Sequence, residues 1–152
     1  DPADQRNFAA PLDRRAGWLS AMREAGIEPP PAYADISDFT AETGRQAMER
    51  LLALPDRPTA VFAASDDIAF GVLSAAWAAG CRVPGDVSVI GVDDHEISAA
   101  LGLTTIAQPV AEHGRLAAKL VLTVIGGDLS RRHEHVVLPT SLVVRETTAP
   151  PS

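Results

Sequence analysis

The sequence predicts an α/β domain: a mostly parallel sheet flanked by helices. Three observations carry this. Apolar residues recur at steps of three and four in several long segments, which is helix spacing. The runs 59–64 and 87–92 are continuously apolar or nearly so and too short for helices, which suits strands buried on both faces of a parallel sheet. The two kinds of segment alternate along the chain, as helix-crossover connections require.

Taken in order, residues 12–25 read as a helix with Leu12, Ala16, Leu19 and Met22 on its inward face, and Gly26 stops it. Pro29-Pro30-Pro31 forces an extended connector, and a short strand is expected at 32–36. A helix at 40–53 turns Ala47, Met48, Leu51 and Leu52 inward, and Pro55 and Pro58 end it. After the strand at 59–64, Ser65 or Asp66 caps a helix carrying Ile68, Ala69, Val72, Leu73, Ala76 and Trp77, which stops at Gly80. Val83-Pro84-Gly85-Asp86 makes a turn into the strand at 87–92. Residues 101–107 are short and extended. A helix spans about 110–125, with Leu116, Leu120, Val121 and Val124 on its stripe, and Gly126-Gly127 ends it. Two closing strands, 134–138 and 141–145, flank Pro139, and the last residues form a frayed tail. No internal repeat or low-complexity stretch interrupts this order.

Composition narrows the function. The chain has 152 residues, enough for one domain with a real core. At 46% hydrophobic and 22% charged it resembles a soluble globular protein, and no run of about 18 apolar residues offers a membrane span. The formal charge of −7 disfavours nucleic acid as a direct ligand, because such affinity comes chiefly from Lys and Arg on phosphates. The small cluster Arg131-Arg132-His133 reads as a solvated loop. Cys81 is the only cysteine, so no internal disulfide exists, which fits a reducing cytoplasm. The first residues, Asp1-Pro2-Ala3-Asp4-Gln5-Arg6, lack the apolar stretch of a secretory signal.

Ligands of open parallel sheets bind beyond the carboxyl ends of the strands. Three polar or aromatic clusters fall there: Ser37-Asp38-Phe39, Ser65-Asp66-Asp67 and Asp93-Asp94-His95-Glu96. The fold therefore gathers Phe39, Ser65, Asp66 and Asp93 along one edge. These types suit a neutral polyol: a carboxylate accepts two hydroxyl protons, an Arg offers a planar fork of donors, and an aromatic ring covers a sugar's C–H face. The plainer readings are that Ser65 and Asp66 only cap a helix and that Asp93-Asp94 only open a solvated loop. Other constellations are weaker. A phosphoacceptor pocket needs a Lys ending a strand, whereas Lys119, the only lysine, falls in a predicted helix. His133 and His135 lack a third metal ligand nearby. Ser65 lacks a Gly-x-Ser-x-Gly elbow, and no Gly-rich phosphate loop occurs. No cofactor is expected, and no nucleophile–base pair can be assembled for an enzyme.

Three stretches resemble motifs of the lac/galactose repressor (LacI/GalR) family of transcriptional regulators. They are Arg14-Arg15-Ala16-Gly17-Trp18; Ala64-Ser65-Asp66-Asp67-Ile68-Ala69-Phe70-Gly71 with Val83-Pro84-Gly85-Asp86 and Val87-Ser88-Val89-Ile90-Gly91-Val92-Asp93-Asp94; and Leu103-Thr104-Thr105-Ile106-Ala107-Gln108-Pro109 leading into Leu138-Pro139-Thr140-Ser141-Leu142-Val143-Val144-Arg145. Their order and spacing cover nearly the whole chain. The resemblance implies a periplasmic-binding-protein-like (type I) fold of two α/β lobes with a ligand between them. Residues 1–107 would form the C-terminal lobe, 108–139 would belong to the N-terminal lobe, 140–146 would return, and 147–152 would be a flexible tail. The helix-turn-helix headpiece and the first lobe strands would lie outside this sequence.

Carried over by position, Arg14 and Asp93 resemble the family's main sugar-hydroxyl contacts, and Phe39 stands where an aromatic packs on the ligand. Ser65 stands where many members have Asn, with Asp66 beside it, and Gln108 matches a hinge residue facing the cleft. The implied partners are a small-molecule effector, a sugar or related polyol, a second copy of the chain in a homodimer, and operator DNA through the headpiece alone, with no membrane. The Trp77 face of its helix, together with Ala99-Ala100-Leu101, is the expected dimer patch. The competing function is one lobe of a periplasmic sugar-binding protein of an ABC transporter.

Overall fold

A computed structural model describes residues 9–34, 38–131, 133 and 135–150. Four strands form one sheet in the order β1 (Ala60–Phe62), β2 (Ser88–Asp93), β3 (Thr104–Ala107) and β4 (Ser141–Val143). The first three are parallel, with Val61 opposite Val89 and Val92 opposite Ile106. The last is antiparallel, with Ile106 opposite Leu142. The helices are α1 (Ala9–Glu24), α2 (Ala41–Leu52), α3 (Asp66–Ala78), the short α4 (Glu96–Ala100) and α5 (Val110–Ile125). The sheet is mixed but mostly parallel, as the alternation of segments predicts.

The core lies where α2 and α3 meet the sheet. Met48 and Leu51 from α2, Ile68, Val72 and Leu73 from α3, and Val87, Val89 and Leu103 around β2 and β3 make one buried cluster. Thr40 caps α2 by accepting the Thr43 N–H, and Ser65 caps α3 by accepting the Ile68 N–H at 3.3 Å. The Ser65 cap closes the strand-to-helix turn, so α3 begins just beyond the carboxyl end of β1. Glycine lets the two helices touch. A Cβ on Gly44 would sit 2.2 Å from the Ile68 carbonyl oxygen, and one on Gly71 would sit 1.8 Å from that of Ala41.

The structure corrects several expectations. Residues 32 and 33 of the expected strand at 32–36 instead lie in a single 3-10 turn, Pro31–Tyr33, in which the Tyr33 N–H donates to the Pro30 carbonyl. Consecutive prolines preset the backbone φ that such a turn uses; residues 35 and 36 lie outside the described residues. The strand β1 is shorter than 59–64 and only half-buried, because it ends the sheet's strand order with one neighbour. No strand forms over 135–138, since no described strand lies beside it to take its backbone bonds; residue 134 lies outside the described set. The expected inward face of α1 is inward only in part: Leu12 and Ala16 are exposed, while Leu19 and Met22 are half-buried.

The frayed tail is also corrected. Thr147 is only 3% exposed. Its hydroxyl donates to the Val89 carbonyl and accepts the Thr104 N–H, and its own carbonyl accepts the Val89 N–H. Residues 147–149 therefore run on beside β2; residues 151 and 152 lie outside the described ones. The helix α5, by contrast, packs no residue fully away from solvent, and Val121, Leu122 and Ile125 are exposed along it.

Because the Gly71 Cβ position is filled by backbone, Gly71→Ala is expected to destabilise the fold by about 2–3 kcal/mol or more, the scale of an overpacked core. Urea denaturation followed by circular dichroism measures it, and a loss below about 0.5 kcal/mol would show that the helices separate freely.

Candidate functional site

The site assembles where β1, β2 and β3 end. From β1 the chain runs through buried Ala63 and half-buried Ala64 to Ser65, the extended cap of α3. Arg14, on α1, donates from Nη1 to the Ala64 carbonyl, which brings its guanidinium to this edge. From β2 the chain leaves through Asp93 and Asp94, whose φ angles are +123° and +56°. Two successive non-glycine residues at positive φ are strained, and such strain persists only where surroundings over-determine it.

Those surroundings centre on Asp66. Its side chain is 1% exposed and is held by three donors: the His95 N–H at 2.8 Å and the Ser98 hydroxyl at 2.6 Å on Oδ2, and the Thr105 hydroxyl at 2.6 Å on Oδ1. The Thr105 hydroxyl in turn accepts the Asp94 N–H at 3.3 Å. The charge also sits in the first turn of α3, where the helix dipole favours an anion. Gly91 makes room for it, since a Cβ there would lie 2.1 Å from Asp66 Oδ1. Asp94 is gripped from the other side by Arg145, whose Nη2 lies 2.6 Å from Asp94 Oδ1.

The Asp93 carboxylate is half-buried and differently placed. It accepts from the Gln108 side-chain amide on the crossing after β3, and lies near the Arg14 charge and the Asp66 backbone N–H at the start of α3. Burial raises its pKa above the ordinary aspartate value; the Gln108 bond, the Arg14 charge and the Asp66 N–H pull it back, and the Asp66 charge adds to the rise.

Of the sequence-predicted residues, the structure thus brings Arg14, Ser65, Asp93 and Gln108 to one edge. Asp66 is at the same edge, but its carboxylate faces inward and is spent on the loop. Ser65 is buried and its hydroxyl is used as a cap. Phe39, just before α2, is 42% exposed, and no described contact joins it to Asp93; Ser37 lies outside the described residues. Sequence reasoning missed Thr105, Ser98 and Arg145. The one signal for them was polar residues inside or beside otherwise apolar strands, Thr104-Thr105 above all. Among the described residues no group of His, Cys, Asp and Glu could hold a metal ion. The half-buried groups left at the edge are an acceptor, Asp93, beside the Arg14 guanidinium and the Gln108 amide. That set can bind vicinal hydroxyls and provides no nucleophile.

Asp66→Ala would leave three buried donors without an acceptor, so a loss of about 3 kcal/mol or more in unfolding free energy is expected. Chemical denaturation of the variant beside Asp67→Ala, whose side chain is exposed, separates this from a general helix-cap effect; equal losses would refute the central role of Asp66.

Comparison with known proteins agrees with this architecture. A model of the periplasmic binding protein-like domain matches residues 2–148. The HTH-type transcriptional repressor CytR of Escherichia coli is 41% identical over 142 residues, covering 89% of this chain and 40% of its own length. A regulatory protein of the LacI family from Chloroflexus aggregans superposes with a TM-score of 0.81 at 31% identity, over 91% of this chain and 50% of that one. The transcriptional regulator CelR, solved as a cellobiose complex, gives 0.80 at 38% identity, over 90% and 42%. The chain therefore spans about two fifths to one half of these relatives. It belongs to the family of periplasmic binding protein-like domains that LacI-family regulators carry.

Proposed function

We propose that this chain is the effector-sensing part of a bacterial transcriptional regulator, with a sugar or related polyol bound between two lobes. The observation that carries the reading is the Asp93 carboxylate: it stands at the end of β2 on a strained backbone, among the donors Arg14 and Gln108. A residue that costs strain and is half-buried at a strand end is placed for a ligand. CelR, a structural neighbour, was solved with cellobiose, which supports the sugar class. In this reading Arg14, Asp93 and Gln108 touch the hydroxyls, Phe39 covers the apolar face, and Ser65 and Asp66 shape the wall behind them. Residues up to 107 and the return segment from 140 form one lobe, and 108–139 form part of the other. The apolar side of α5, with Leu116, Leu120 and Val124 only half-buried and Val121, Leu122 and Ile125 exposed, fits a helix whose packing partners belong to that second lobe.

Sensing is then closure of the lobes about the crossings near Gln108 and Pro139, with ligand favouring one closure state. DNA is bound by a headpiece outside this sequence, in the cytoplasm, and no catalysis is involved. A second copy packs at the end of α3, where Trp77 is 48% exposed rather than in the core, and at exposed Ala99 and Ala100.

In the intact regulator Asp93→Ala is expected to weaken effector binding by about 1.5–3 kcal/mol, roughly tenfold to over a hundredfold. Operator binding without effector should persist. Calorimetry with cellobiose and a panel of sugars, paired with an operator-binding assay, checks both; an unchanged response would remove Asp93 from the site.

Effector affinity should fall on acidification, beginning at a higher pH than an ordinary aspartate would give, because protonation removes the acceptor and burial raises the Asp93 pKa. The same shift works oppositely on folding: the folded state takes up this proton more readily than the unfolded chain, so Asp93 weighs against stability above its pKa and less below. Titrations across acidic pH, on wild type and Asp93→Asn, measure the difference, which should vanish in the variant.

Trp77→Glu places a charge in the expected dimer face. Sedimentation should shift the intact protein towards monomer without loss of helical content.

A further inference from the structure

The strained pair Asp93-Asp94 is held by two anchors. One is internal to the sheet: the Asp94 N–H on the Thr105 hydroxyl. The other is Arg145, two residues past β4. Its Nη2 donates to Asp94 Oδ1 at 2.6 Å, and its Nη1 donates to the Leu103 carbonyl at 2.7 Å. The Arg145 backbone N–H donates to the buried Thr104 hydroxyl at 2.9 Å. Two bonds on the guanidinium and one on the backbone beneath it leave Arg145 little freedom, and both ionised side chains are mostly shielded from solvent. A planar guanidinium suits this two-point grip, one arm on a carboxylate and one on a carbonyl, as an ammonium does not.

We propose that Arg145 is a positioning residue for the effector site. It clamps Asp94 in its left-handed conformation and so aims the neighbouring Asp93 carboxylate at the ligand. The role follows from connectivity. A peptide unit couples the two residues, so a change of φ at Asp94 swings the Asp93 side chain. Arg145 lies on the segment that returns to the sheet after α5, on the far side of the second crossing. A shift of that segment along β3 is therefore transmitted through one ion pair to the residue that meets the effector. This inference rests on Asp93 being an effector contact.

The test uses the intact protein and three variants: Arg145→Met, Arg145→Lys and the double variant Arg145→Met with Asp94→Gly. Glycine reaches positive φ without a clamp. NMR of aspartate- and glycine-labelled protein reads the backbone at positions 93 and 94, and calorimetry with cellobiose reads affinity. Arg145→Met is expected to move residue 94 out of the left-handed region and weaken cellobiose about tenfold, equivalent to ~1.4 kcal/mol. Arg145→Lys should fall between. The double variant should regain the left-handed backbone and most of the affinity, although the ion pair is still missing, which a purely stabilising Arg145 would not allow. A left-handed Asp94 in Arg145→Met, or no rescue by glycine, overturns the proposal. If wild type binds no cellobiose or other sugar, the sugar reading fails, and the backbone arm alone decides whether Arg145 positions the loop.

Discussion

The carboxylate of Asp66 is the interaction on which the rest of the site depends. It is a buried charge with no cationic partner among its hydrogen bonds, and it is tolerable because three donors and a helix N-terminus face it. Each donor comes from a different local element: the loop after β2, the helix α4, and the strand β3. One side chain at the start of α3 thereby fixes the relative position of three segments that are 29 to 39 residues away in sequence. Water cannot substitute for it in that space without loosening all three.

The loop strain follows from this arrangement. With the His95 N–H and Thr105 tied to Asp66, the chain leaving β2 must turn within a short gap, and Asp93 and Asp94 make that turn at positive φ. Strain that would be lost in a free loop becomes orientation. Asp93 is left as the one carboxylate of the cluster facing outward, while Asp66 faces in and Asp94 is neutralised by Arg145. Three neighbouring acids thus have three distinct environments, and Asp93 alone of them keeps its carboxylate beside the Arg14 and Gln108 donors.

Much of the fold was legible because its signals are local. The helix α5 has the bounds expected from its periodicity, between Pro109 and Gly126, and α2 and α3 start at their capping hydroxyls. Where the reading failed, the deciding partner was distant. The order of residues 147–149 depends on β2, almost sixty residues earlier. The strand expected over 135–138 needed a neighbour that no described strand supplies. The site was legible as a place, the strand ends, but not as a division of labour. Ser65 and Asp66 read as alternative caps and as ligand residues alike, and only packing reveals that Ser65 is the cap, Asp66 is enclosed and Asp67 is exposed. Arg145 read as the last residue of the closing strand 141–145, since nothing near it in sequence names its partner.

The contact between Gly91 and Asp66 also constrains how such a domain can diverge. Any side chain at 91 collides with the Asp66 carboxylate, while loss of that carboxylate at an unchanged Gly91 strands its three donors. Neither position can change first without passing through a damaged intermediate, so the pair behaves as a historical lock. Asp93 and Gln108 share a side-chain hydrogen bond but no such steric lock, and Phe39 is exposed. A lineage built on this frame can therefore exchange residues along its outer edge while the frame beneath them stands still.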